Sequence, residues 1–154
     1  MPNKVDGSLS NDLLTLLKRE QYVLLSTIDH ETKGPNVSAI SWLYAVDDQS
    51  IVFAVDQKSR IVSNIKGNDQ ISITLIGNES TYAINGKASL IEEKMENVPL
   101  KLTKYKLSIQ EVRDVMFYGA KMSVEPAYEK IYDPEAAAKL DRSVMAELKK
   151  DLSR

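Results

Sequence analysis

Asn36-Val-Ser-Ala-Ile-Ser-Trp-Leu-Tyr-Ala-Val46 decides how this chain folds. Side chains alternate across a strand, so Val37, Ala39, Ser41, Leu43 and Ala45 fall on one side and Ser38, Ile40, Trp42, Tyr44 and Val46 on the other. Neither side is purely polar. A strand with two mixed faces suits a barrel wall that packs inward and meets a ligand or partner outward. Upstream, Tyr22 to Ile28 is apolar and β-branched, and Asp29 to Pro35 gathers turn-forming residues, with Gly34 free to take positive φ. Downstream, Asp47 to Ser50 is a hairpin turn and Ile51 to Val55 a third strand. Gln70 to Ile76 alternates as a fourth, and Ser80 to Glu93 reads as a long fifth strand with Gly86 at a bulge or bend.

The helical signals are fewer. Leu9 to Glu20 carries a leucine stripe behind a serine cap, and Arg60 to Lys66 reads as one short helix stopped by Gly67 and Asn68. Val98 to Tyr105 shows helical spacing. Ser108 and Glu111 form a capping-box pattern ahead of Val112, Val115, Met116 and Tyr118, which predicts a second helix there. Lys121 to Tyr132 alternates as a sixth strand, and Asp133-Pro134 opens a last, peripheral helix over 134–152. Antiparallel strands closed by short turns favour a barrel over a parallel sheet. The reading is β-rich (α+β): six antiparallel strands with flanking helices, in one domain over residues 1–154.

Composition narrows the chemistry. The 154 residues hold 43% hydrophobic and 27% charged side chains, ordinary for a globular protein. There is no cysteine, which removes disulfides, thiolate metal sites and a Cys nucleophile. The single histidine, His30, sits in a turn with nothing nearby to orient it, so a zinc site is not expected. A net charge of −2 without basic blocks argues against nucleic acid. Met1 to Asp12 is polar, and no apolar run approaches the ~20 residues needed to span a bilayer. The expected setting is cytoplasmic, with no membrane partner.

Phe53-Ala-Val-Asp-Gln-Lys-Ser-Arg-Ile-Val-Ser-Asn64 is the segment richest in chemical signals. A strand ends, a polar connection carries Lys58, Ser59 and Arg60, and a helix begins. Free amides and the positive dipole end of a helix, beside a guanidinium, suit a phosphate. The same residues also read as an ordinary serine cap with two surface cations. Trp42 and Tyr44 could flank a planar ring or serve as core aromatics. Ser38 and Ser41 read equally as ligand donors or as solvent-facing hydroxyls.

Four stretches, taken in order, carry a family resemblance: Gly34-Pro-Asn-Val-Ser-Ala-Ile-Ser-Trp-Leu-Tyr44, Ser50-Ile-Val-Phe-Ala-Val55, Lys58-Ser-Arg-Ile-Val-Ser-Asn-Ile-Lys-Gly-Asn-Asp-Gln-Ile-Ser-Ile73 and Tyr82-Ala-Ile-Asn-Gly-Lys-Ala88. Over residues 9–132 the chain resembles the FMN-binding split-barrel family of pyridoxamine 5′-phosphate oxidase, especially its bacterial general stress proteins. The resemblance implies a six-stranded antiparallel split β-barrel, FMN as cofactor, a homodimer with FMN between protomers, and flavin-dependent oxidoreductase activity. By the same resemblance Lys58, Ser59 and Arg60 would hold the FMN phosphate, and Val37, Ser38 and Ser41 would line the phosphate and ribityl region. Phe53 to Val55 would pass beside the ring, Asn64 would brace the loop, and Trp42 would face the flavin from the neighbouring subunit's side. No residue is assigned as catalytic.

Departures from the oxidase pattern are specific. The position after Ser59-Arg60 is Ile61 where the oxidase has a lysine, the second strand lacks an arginine, and residues 133–154 contain no histidine. These argue against pyridoxamine phosphate oxidation. A flavin-binding stress or sensor protein without turnover, a heme- or deazaflavin-binding member of the same barrel, and a cofactor-free interaction module remain open at this stage.

Overall fold

A computed structural model describes residues 5–150. The strands are β1 (Val5–Asp6), β2 (Val23–Ile28), β3 (Pro35–Ile40), β4 (Leu43–Asp47), β5 (Ser50–Asp56), β6 (Gln70–Gly77), β7 (Ser80–Glu92) and β8 (Leu102–Asp114). The helices are α1 (Asn11–Leu16), α2 (Arg60–Gly67) and α3 (Pro134–Leu148). All strand pairs are antiparallel, and the sheet runs in the order β3-β2-β6-β7-β8-β5-β4, with β1 added to β8. The sheet curls but does not close: β3 and β4, consecutive in sequence, sit at its opposite ends. This is the expected split barrel, built from eight strands rather than six.

The split originates in the stretch quoted first. It is not one strand but two, broken at Ser41-Trp42. Gln21 N–H donates to the Ser41 carbonyl at 3.2 Å, and Ala54 N–H to the Trp42 carbonyl at 3.0 Å, so the two carbonyls serve opposite ends of the sheet. The alternation changes sense across the break. Val37 and Ala39 are exposed, whereas Leu43 and Ala45 are fully buried.

The barrel interior collects Leu25, Leu43, Ile51, Phe53, Ile73, Leu75, Ile84 and Leu107 among others. Each such side chain contributes about 1.5–3 kcal/mol by leaving water. Leu9, Leu13 and Leu17 plug one end of it. The first helix stops at Leu16, short of the Glu20 expected, because the Leu17 carbonyl accepts Ala45 N–H of β4 at 2.7 Å. A second apolar layer lies outside the barrel, where Val144 and Leu148 of α3 cover Val52, Ala54 and Leu102. Lys104, buried on β8, donates to the Glu147 carbonyl at 2.9 Å near the C-terminal end of α3.

Three further expectations are corrected. The helices predicted over 98–105 and 108–118 give way to β8, a strand of 13 residues. Asn85 pairs with Glu111 but Gly86 with Ile109, so Gln110 is an extra residue and β8 bulges there. The bulge turns the two-residue spacing of Tyr105, Leu107 and Ile109 into a three-residue step to Val112, which imitates a helix. The strand predicted over 121–132 is irregular backbone that crosses the barrel end. Met122 N–H reaches the Glu79 carbonyl at 2.9 Å and Val124 stays 77% exposed, so this stretch joins no sheet. The last helix begins as expected, and residues 151–152 of its predicted span lie outside the described ones.

Candidate functional site

The split is a cleft. About 500 Å³ of space lies between edge strand β3 with Ser41-Trp42 on one side and the end of β5 with the start of α2 on the other. Ser38, Ile40, Ser41 and Trp42 line it from the first side, and Ala54, Val55, Asp56, Ser59 and Ile61 from the second. Leu100 and Leu102 add apolar surface, and Lys130 and Tyr132 close one end. Two other recesses are shallower in chemical content. One, of about 240 Å³, lies beside Asp6, Asp12 and Asp114. The other, of about 490 Å³, lies over the outer sheet face, where Ser72, Asn85 and Glu111 already bond one another. No group of metal ligands occurs among the described residues.

The structure brings half of the sequence-predicted site residues to the cleft. Ser38, Ser41, Trp42, Val55 and Ser59 line it. Val37 does not; it is 58% exposed and outside the lining. The Phe53 side chain is fully buried inside the barrel, its ring 5.6 Å from that of Tyr105. Asn64 is fully buried on the inward side of α2. Its Oδ1 accepts His30 N–H at 2.8 Å, and its Nδ2 donates to Thr27 Oγ1 at 2.9 Å, which ties α2 to the turn after β2. Lys58 and Arg60 are exposed and lie outside the cleft lining.

Arg60 turns toward that same turn. Its Nε is 3.3 Å from Asp29 Oδ1, and its Nη2 is 3.6 Å from Glu31 Oε1. Asp29 is buried, and its Oδ2 also accepts Thr32 N–H at 2.9 Å and Glu31 N–H at 3.1 Å. The Thr32 amide, supported by the Glu31 amide and the Arg60 charge, outweighs burial and holds the Asp29 carboxyl below its ordinary value of 3.8. A depressed carboxyl stabilises the fold at pH above its unfolded value and loses that contribution as pH falls through the folded one. Asp29→Asn is therefore expected to lower the urea midpoint at neutral pH. The gap to the unmodified protein should close below about pH 4. A gap that stays constant into acid would refute the account of a carboxylate held charged by the Thr32 and Glu31 amides and Arg60.

Sequence reasoning missed the far end of the cleft. Lys130 Nζ lies 2.8 Å from Glu20 Oε2 and 3.2 Å from Asp141 Oδ1. Ser41 Oγ donates to the same Glu20 oxygen at 2.7 Å, and Trp42 Nε1 to the same Asp141 oxygen at 2.9 Å. Burial alone would lower the Lys130 pKa, but the hydrogen bonds to Glu20 and Asp141 win and raise it above 10.5. Lys130 thus stays protonated, with its charge committed to two carboxylates. No local signal could have revealed this node, because Glu20 and Lys130 stand 110 residues apart.

Known proteins share this fold. The pyridoxamine 5′-phosphate oxidase family model matches residues 9–145. A pyridoxamine 5′-phosphate oxidase candidate from Lactobacillus delbrueckii superposes with a TM-score of 0.61 at 17% identity, covering 73% of this chain and 98% of that one. General Stress Protein 26 from Bacillus anthracis gives 0.52 at 14% identity, over 64% and 86% of the two chains. An F420 reductase gives 0.52 at 17% identity, over 64% and 93%. At these identities the structural likeness establishes the fold alone. Among curated proteins none matches the sequence.

Proposed function

The chain belongs to the pyridoxamine 5′-phosphate oxidase family, and from that premise we propose that it is a homodimeric flavoprotein that seats the ring of FMN in the cleft of the barrel split. The observation that carries this reading is the cleft itself. Its volume, about 500 Å³, lies within the range of cofactor pockets, and its lining pairs apolar Ile40, Val55, Leu100 and Leu102 with the hydroxyls of Ser38, Ser41 and Ser59. Such a surface fits a flat heterocycle with polar edges. One wall is open, which leaves room for a second protomer to cover the ring.

A flavin supplies hydride or electron transfer when bound, and the protein's share is to hold it, orient it and exclude water. Trp42 is fixed by its indole bond to Asp141, and Ser41 by its bond to Glu20, so neither reorganises to receive a ring. We place the activity among flavin-dependent oxidoreductases other than the true oxidase, since Ile61 replaces the expected lysine and residues 133–154 contain no histidine. A second reading is a flavin-binding protein without turnover. It is favoured by the scarcity of acid–base groups: Asp56 and Lys130 are the charged residues lining the cleft, and Lys130 is ion-paired.

Trp42 is the only tryptophan in the chain, so its fluorescence reports on the cleft directly. Added FMN is expected to quench Trp42 saturably and to stay with the protein through gel filtration as a yellow dimer. Protein that remains colourless, with unchanged Trp42 emission, would overturn the flavin reading. Bleaching of the bound colour by NADH or NADPH under nitrogen separates the oxidoreductase from the silent binder.

A further inference from the structure

We infer that Lys130 is the positioning residue of the cleft: through Glu20 and Asp141 it holds the Ser41 hydroxyl and the Trp42 indole in the attitudes that receive a flat ligand. This deepens the flavin reading and rests on it. The stretch between β8 and α3 brings Lys130 to the barrel end without a strand or helix of its own. Glu129 and Ile131 on either side are exposed, so at this point the stretch meets the cleft through the lysine. Its ammonium gathers carboxylates from two other parts of the fold, Glu20 from the segment before β2 at 2.8 Å and Asp141 from α3 at 3.2 Å.

The grip on the two cleft residues is specific to atoms. The Glu20 oxygen that meets Lys130 is the one that accepts from Ser41 Oγ, and the Asp141 oxygen that meets it is the one that accepts from Trp42 Nε1. The ammonium also stands over the Trp42 and Tyr128 rings, 5.8 Å from each centroid, within reach of a cation–π attraction. The indole is thus held at its edge through Asp141 and at its face by the charge. Without the ammonium, two carboxylates drawn to one point would repel each other, and the acceptors of Ser41 and Trp42 would move apart. Ser41-Trp42 is the break between β3 and β4, so a shift there tilts the wall of the split itself. A surface fixed before its ligand arrives loses less freedom on binding. The side chains of Lys130, Glu20 and Asp141 keep 26%, 20% and 21% of their surface in water, so these ion pairs add little to global stability and their effect falls on the cleft.

The test compares the full-length protein with Lys130→Met, which keeps the length of the side chain without its charge, and Lys130→Arg, which keeps the charge. Three quantities are read: the urea midpoint, the Trp42 emission and its quenching by acrylamide in flavin-free protein, and the dissociation constant for FMN. In Lys130→Met the midpoint is expected to stay near that of the parent, Trp42 to emit at longer wavelength and to be more open to acrylamide, and FMN to bind about three- to tenfold more weakly. Lys130→Arg is expected to restore the Trp42 signal and to bind FMN within about twofold of the parent. Parent-like emission, acrylamide access and FMN affinity in Lys130→Met would overturn the inference. So would weaker FMN binding with an unchanged Trp42 signal, or an arginine variant no better than the methionine one. A Lys130→Met protein that loses its fold would overturn it too, by making Lys130 a residue of stability. If the parent itself takes up no flavin, the flavin reading falls, and the Trp42 signal of the two variants still judges the hold of Lys130 on the indole.

Discussion

Gly86→Ala is expected to cost the barrel about 3–5 kcal/mol, or to prevent folding outright. Gly86 lies in β7 where the pairing with β8 changes register, between Asn85 opposite Glu111 and Gly86 opposite Ile109. A Cβ at this point would run into the Ser108 carbonyl oxygen and would sit 2.8 Å from Leu107 Cδ1. The first obstacle is backbone in the middle of the sheet and cannot swing aside. Relief would require β7 and β8 to part at the bulge, and their ladder joins the two halves of the barrel. A typical domain has about 5–15 kcal/mol of stability in total, so a loss of this size should appear as a large drop in urea midpoint or as insoluble protein. A variant within about 1 kcal/mol of the parent would show that the strands yield here, contrary to close-packed expectation.

Phe53→Ala is expected to destabilise by a similar amount, about 3–5 kcal/mol, through the cavity it leaves. Phe53 is fully buried in the interior cluster and stacks on Tyr105 at 26° between ring planes. The family resemblance places residues 53–55 beside the flavin ring, so this substitution separates two roles that adjoin. Its side chain belongs to the core, whereas Ala54 and Val55 line the cleft. Phe53→Leu should therefore cost less than about 2 kcal/mol and leave flavin affinity unchanged. A Phe53→Leu protein of normal stability that no longer quenches with FMN would place the ring against the cofactor instead.

Much of the architecture was legible because local chemistry writes it. Strands β2, β5, β6 and β7 and helix α2 follow from alternating or amphipathic spacing, and Ser10 and Ser59 cap helices where their hydroxyls suggested. The cleft lining was legible in part: Ser38, Ser41, Trp42, Val55 and Ser59 lie on short segments that the barrel brings face to face. Two of the errors have local causes. At Gln110 a single extra residue changed the period that the eye reads, and at Ser41-Trp42 an apparently continuous strand served two sheet edges.

By itself the sequence determined that this is an antiparallel β protein with few helices, without cysteine chemistry, and with a polar turn leading into the helix at residue 60. Only the tertiary structure decided what that turn can do. Whether Arg60 meets a ligand or Asp29, and whether Lys130 is a free charge or a bridge between Glu20 and Asp141, depends on groups far apart in sequence. Charge pairing is set by distances of a few ångströms in folded space, and spacing along the chain carries no measure of them.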